Sequence, residues 1–392
     1  MSSGSDTMRS QITEILSRLV AIPTAYPPGD SVEICAYARE FLDSLGYRTA
    51  IHAEKEGLDN LVASIGSGSP HLVFNAHVDT VGPGSLTDWQ SDPYTLTRYA
   101  ERLYGLGASN CKGSMAIQLW LAQEIARHGG PERGTVTFTF VTDEESLGPS
   151  GMSYLRRAGL VRPDMLFLGA PTANTLITAE RGVMWVAIET FGQSAHAGAP
   201  ETGDNAVLRM VRLVDRLVRD LVPVIEARTE EGLRSTINIG KFHGGDNTNV
   251  VPSYCRLEID RRLLPSETLE GAVEEIVAVL RAAGEPEGSW TAELTTGTPG
   301  FSSGRDGPLV RHTAEAVEAV TGKAAVYSEA VGASDGRYFA QDGIEILNFG
   351  PGEGSRGHAA NEFIGLDELE EGALVLARVV ERICAWKETV FG

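Results

Sequence analysis

At 392 residues the chain exceeds what one hydrophobic core organises, and a composition of 42% hydrophobic residues with 44 glycines suits an α/β enzyme of two domains. A formal net charge of −20 excludes nucleic acid and anionic membrane surfaces as partners, because both repel an acidic chain at long range. Residues Met1 to Ser10 are mostly polar and no later run is long enough to span a bilayer, so a cytoplasmic protein is expected.

In chain order, Ile12, Ile15, Leu16 and Leu19 recur at helical spacing and predict a helix over 10–20, stopped by the turn from Ile22-Pro23 to Pro28-Gly29. Leu72-Val73-Phe74, residues 136–141 and residues 165–168 read as buried strands, with a helix over 113–128 between the first two. That alternation predicts a sheet with helices on its faces, whose ligands gather beyond the strand C-termini. His77, Glu144, Glu145 and Ala170 all follow such strands. From about 181 to 296 the pattern changes to strand, helix (205–221), strand, strand (254–260), helix (268–283) and strand, an inserted α+β unit. The rest returns to the first domain with a strand over 344–349 and a final helix from Asp367 to about Lys387. The expected domains are therefore 1–180 with 297–392, built on a central mixed sheet flanked by helices, and 181–296.

His77-Val78-Asp79 after a strand is a metal-binding arrangement, since an imidazole can hold a cation while a carboxylate fixes its tautomer. Alone, it equally describes a strand-end turn with a solvated aspartate. Asp143-Glu144-Glu145 after the next strand can offer one carboxylate as ligand and its neighbour as general base; the plainer reading is an acidic helix start. Cys35, Cys111, Cys255 and Cys384 show neither zinc-knot nor disulfide spacing, and Cys111 differs only in following Asn110.

Read together and in order, His77-Val78-Asp79, the stretch Tyr104-Gly105-Leu106-Gly107-Ala108-Ser109-Asn110-Cys111-Lys112-Gly113, Asp143-Glu144-Glu145, Ser194-Ala195-His196, Asn249-Val250-Val251-Pro252, Asp260-Arg261-Arg262, Ser334-Asp335-Gly336-Arg337 and Gly357-His358 through Glu362-Phe363 resemble the M20 metallopeptidase and amidohydrolase family. That family includes acetylornithine deacetylase, succinyl-diaminopimelate desuccinylase, aminoacylase and glutamate-releasing carboxypeptidases. The resemblance implies a zinc-peptidase-like catalytic domain, an inserted lid or dimerisation domain, a homodimer, and hydrolysis of an N-acyl amino acid or small peptide-like substrate. It further implies His77, Asn110, Glu145 and His358 as metal residues, Glu144 as water-activating base, and Asp79 as the group orienting His77. His196 would reach the substrate from the inserted unit, with Asn249, Arg262, Asp335 and Arg337 near the substrate.

Two positions depart from the family pattern. An aspartate that bridges two metals is replaced by Asn110, and an acidic ligand by Ala170. Two divalent ions carry four positive charges, and Glu145 alone among these protein ligands now answers them, so fewer than two zinc ions per chain are expected. Three outcomes stay open at this level: one ion on Glu145 and His358; a metal-free pocket repurposed for another reaction on an amino-acid derivative or for binding without turnover; or substitutions designed to trap a substrate.

Overall fold

The computed structural model describes residues 2–330 and 332–386 and divides into two compact units. The first comprises residues 1–178, 303–328 and 334–392, and the second residues 179–302 with 329–333.

A six-stranded sheet organises the first unit, in the order Glu345–Asn348, Met165–Leu168, His71–His77, Gly134–Val141, Asp59–Ser67 and Arg48–Ala53. Its first four strands run parallel and the last two pair antiparallel, which makes it mixed. Phe74 sits opposite Phe138 on one side and Phe167 on the other; it stacks on Phe138 with centroids 5.5 Å apart and meets Phe167 tilted at 5.2 Å. Each buried ring contributes about 1.5–3 kcal/mol of apolar burial, and a slip of one residue would turn all three to the opposite face. The Phe ladder therefore fixes the register that sets His77 beside Val141, level with the start of the acidic loop.

The Lys112–Arg127 helix is buried along most of its length, its apolar residues from Met115 to Ile125 joined by the buried polar side chains of Lys112, Ser114 and Gln118. The first helix runs Ser2–Ala21, longer than the apolar spacing predicts, because Met8 is buried and Arg9 pairs with Glu370 and Asp367 of the last helix. The helices Val32–Ser44, Met152–Arg157 and Pro308–Thr321 escaped the sequence reading. The final helix spans Leu366–Cys384; its expected end at Lys387 lies outside the described residues.

The second unit has a four-stranded antiparallel sheet in the order Thr236–Gly244, Tyr254–Leu263, Gly182–Phe191 and Trp290–Thr298. Helices Ala206–Arg216 and Leu269–Ala282 pack their buried Met210, Leu213, Ile276 and Leu280 with Met184, Val186, Leu257 and Ile259 of the sheet. The first of these helices continues through a wider turn, Leu217–Leu221, into Val222–Glu226, five residues past the expected end.

Candidate metal centre

His77 ends its strand, and its Nδ1 lies 2.9 Å from the Asp79 carbonyl oxygen, so Nδ1 carries a hydrogen and Nε2 is the nitrogen that faces Asn110 and Glu144. The Asp79 carboxylate is fully buried; Oδ2 accepts the Glu145 backbone N–H at 3.0 Å, while Oδ1 stands 3.6 Å from His77 Nδ1 with no hydrogen-bond partner. One aspartate thus steers the imidazole and pins the acidic loop.

That loop is shaped by Asp143, a non-glycine residue at φ 66°. Its carboxylate accepts from the Ser146 hydroxyl and, at 2.9 Å, from Ser150 N–H, and its carbonyl accepts Gly148 N–H at 2.9 Å. A Cβ at Gly148 would run into the Asp143 carboxylate, so only glycine closes this turn. Asp143 is therefore architecture, and Glu144 and Glu145 are left to face the pocket.

Glu144 Oε2 lies 3.8 Å from His77 Nε2, and Asn110 Oδ1 lies 3.2 Å from the same nitrogen. Asn110 Nδ2 donates to Glu145 Oε1 at 2.8 Å and sits 3.2 Å from His358 Nε2, which is itself 2.9 Å from Glu145 Oε1. The amide occupies the middle of the group. Burial pushes the Glu144 carboxyl up to about 8, Asp335 and Glu145 adding to the effect and His77 and Arg337 opposing it. Burial works against charging His77, but Glu144, then Cys111 and Asp79, outweigh it and hold its pKa well above the histidine range.

Asp335 and Arg337 are buried beside this group. Asp335 Oδ2 accepts from Asn75 Nδ2 at 3.0 Å, and burial raises its pKa against the pull of Arg337. The Arg337 guanidinium donates to Tyr338 Oη at 2.8 Å and is held charged by Asp335 first, with burial resisting.

Glu362 has a function that sequence reasoning missed. Its carboxylate accepts the backbone N–H groups of Gly107, Ser109 and Asn110 at 2.9, 2.8 and 2.8 Å, which holds the turn that presents Asn110. Its closeness in sequence to His358 was the available signal. Ala170 follows its strand as expected, and its methyl group offers no donor.

His196, Asn249 and Arg262 belong to the second unit. His196 and Asn249 are exposed and neighbouring: His196 bridges to Val250, its Nδ1 accepts Gly198 N–H at 3.0 Å, and the Asn249 carbonyl accepts Ala197 N–H at 3.0 Å. Arg262 Nε donates to Asp260 Oδ1 at 2.9 Å. Its neighbour Arg261 points the other way, 1% exposed, with Glu267 and Glu275 each at 2.7 Å.

The donor set fits a divalent cation. His77, Glu144 and Glu145 each offer an atom within 4.8 Å of the others, Asp79 Oδ1 is a buried oxygen without a partner, and Glu145 and His358 already converge on one point.

A two-unit α/β chain with histidines and carboxylates gathered beyond its parallel strands defines a metallohydrolase class. The signature of Peptidase family M20/M25/M40 matches residues 73–382, and the chain belongs to that family. It is 30% identical over 331 residues to acetylornithine deacetylase of Edwardsiella ictaluri, covering 83% of each chain. It is also 26% identical to a probable succinyl-diaminopimelate desuccinylase of Staphylococcus epidermidis, over 86% of this chain and 89% of that one. Among solved structures, aminopeptidase PepT from Bacillus cereus superposes with a TM-score of 0.76 at 21% identity, over 96% of this chain and 98% of that one, a likeness of fold. The protein is thus an M20-family hydrolase of α/β architecture, and among the described residues no helix is long and apolar enough to cross a membrane.

Proposed function

We propose that the chain is an amidohydrolase that cleaves the amide bond of an N-acyl amino acid or small peptide-like molecule, with Glu144 moving the proton. The observation that carries this is the Glu144 carboxyl set 3.8 Å from the His77 imidazole, within one cluster with Glu145. A carboxylate so placed can take a proton from the attacking water and return it to the amine that leaves. His77, Asn110, Glu145 and His358 would hold zinc or another divalent ion, which supplies Lewis acidity to the substrate carbonyl when bound. Asp79 keeps His77 in the tautomer whose Nε2 is open.

Fewer than two ions per chain are proposed, because a neutral amide at Asn110 and a methyl at Ala170 stand where negative charge would be needed to keep two cations together. His196, Asn249 and Arg262 are assigned to the substrate, Arg262 for an α-carboxylate that matches its planar fork, and Asp335 with Arg337 to the floor of the pocket near Glu144. The acyl amino acid class is supported by the deacetylase and desuccinylase relatives. A homodimer through residues 181–296, which also serve as a lid, is supported by the apolar exposure of Leu208, Val211 and Val218 along one helical stretch.

A panel of acetyl, succinyl and aminoacyl amino acids incubated with the zinc-loaded chain tests the reading. Cleavage of at least one is expected, with kcat reduced about 10²–10⁴-fold in Glu144→Gln while zinc stays bound. No turnover across the panel, or turnover indifferent to Glu144→Gln, contradicts it.

A further inference from the structure

His358 is the most exposed member of the metal group, with 54% of its side chain open to solvent. It lies in a segment without helix or strand, between the Glu345–Asn348 and Phe363–Gly365 strands, and its backbone stands at φ 62°, an uncommon conformation for a residue with a Cβ and one held where the surrounding structure imposes it. Its ring meets Glu145 at 2.9 Å and Asn110 at 3.2 Å, both within the metal group itself. The backbone that carries it needs a separate hold.

Arg356, two residues earlier, takes no part in the chemistry so far assigned, and its side chain is mostly buried, at 18% exposure. Its Nη1 donates to both oxygens of Glu368, in the first turn of the Leu366–Cys384 helix, at 2.9 and 3.1 Å, and its Nη2 donates to Glu353 Oε1. The guanidinium carbon stands 4.4 Å from the centre of the Phe363 ring. Each partner is itself fixed: Glu368 also accepts the Gly352 and Gly365 N–H groups at 3.2 and 3.3 Å, the Glu353 carbonyl accepts from Ser109 Oγ at 3.1 Å, and Phe363 pairs with Tyr104 on the neighbouring strand. A planar fork that meets two carboxylates while its face lies on an aromatic ring is a task for arginine and not for lysine. Gly357, between Arg356 and His358, lets the segment close on Asn110, since a Cβ there would come within 3.0 Å of the Asn110 Cβ.

We propose that Arg356 is a positioning residue of the metal centre, clamping its segment to Glu353, Glu368 and Phe363 so that His358 is held with Nε2 against Glu145. The inference deepens the hydrolase reading and rests on His358 as a metal residue. Glu353, Glu368 and Phe363 all lie outside the metal group, so the brace reaches the ion only through the backbone that carries His358. A neutral side chain at position 356 leaves two carboxylates without the cation that joins them, and the segment loosens. The imidazole must then be ordered again before it binds, and that cost is read as lost affinity.

Zinc affinity of the full chain, read by titration calorimetry without turnover, tests this in a double-mutant cycle. Arg356→Gln is expected to weaken binding about 10–100-fold, and to make no further difference in His358→Ala. Equal weakening in both backgrounds means a general loosening of the fold and overturns the inference, as does unchanged affinity in Arg356→Gln. A His358→Ala chain that binds zinc as tightly as the unmodified one also overturns it and leaves a metal centre on the other residues. An unmodified chain that binds no zinc sinks both the inference and the metallohydrolase reading. Should Arg356→Gln fail to fold, Glu353→Gln, which spares Glu368 at the start of the last helix, takes its place in the cycle, with weakening again confined to the chain that keeps His358.

Discussion

At the scale of single residues, the cluster around His77 and Glu145 is held by neighbours that bond to its backbone and rings. Asp79 holds His77 through its backbone carbonyl and the Glu145 backbone N–H through Oδ2, so one residue ties an imidazole at one strand end to the acidic loop after the next. Glu362 does the same for Asn110 through three backbone N–H groups. Glu362→Gln keeps one acceptor oxygen and loses the charge, and it should weaken zinc binding about 10–100-fold without touching the metal. Competition against a chromophoric chelator measures this, and unchanged affinity would show that the Asn110 turn holds itself. His77, Asp79, Glu144 and Glu145 were legible as candidates because they follow buried strands, and His358 through the family resemblance; the structure brings His77, Asp79, Asn110, Glu144, Glu145 and His358 together. Glu362 stayed hidden because a carboxylate that serves backbone donors has no motif beyond its neighbours.

Secondary-structure elements were legible where the apolar period was plain. The three buried strands, the Lys112–Arg127 helix and the Leu269–Ala282 helix fell within a few residues of their expected bounds. The Val32–Ser44 helix was missed although Ile34, Cys35, Ala38 and Leu42 share its buried face, since prolines and glycine just before it masked the period. In the Tyr254–Leu263 strand, alternation alone could not say which of two adjacent arginines turns inward. The structure buries Arg261, whose guanidinium meets Glu267 and Glu275, with Arg228 reaching the same two acids.

Burial resists ionising these two carboxyls, yet the Leu264 N–H and Arg228 at Glu267, and Arg228 and Arg261 at Glu275, hold both below the ordinary 4.5. A depressed folded pKa contributes stability that is full above the unfolded value and fades as pH falls through the folded one. Arg261→Met should therefore destabilise the second unit by on the order of 3 kcal/mol at neutral pH and flatten its loss of stability below about pH 4.5. Urea melts at neutral and acidic pH check both effects; an unchanged midpoint would mean that Arg228 suffices.

For the whole molecule, the proposed homodimer rests on the exposed apolar side chains of one helical stretch in the inserted unit. Sedimentation should give twice the chain mass, falling to one when Leu208 and Val211 are changed to serine; a monomer at micromolar concentration contradicts the dimer. The balance of charge in the pocket leads to the larger claim, that a family built for metal chemistry here runs it with fewer ions. Elemental analysis of the full chain, saturated with zinc and then freed of excess, addresses this most directly. About one tightly held ion per chain is predicted, lost when Glu145 and His358 are both replaced by alanine. Two tightly held ions beside Asn110 and Ala170, or none at all, would contradict it.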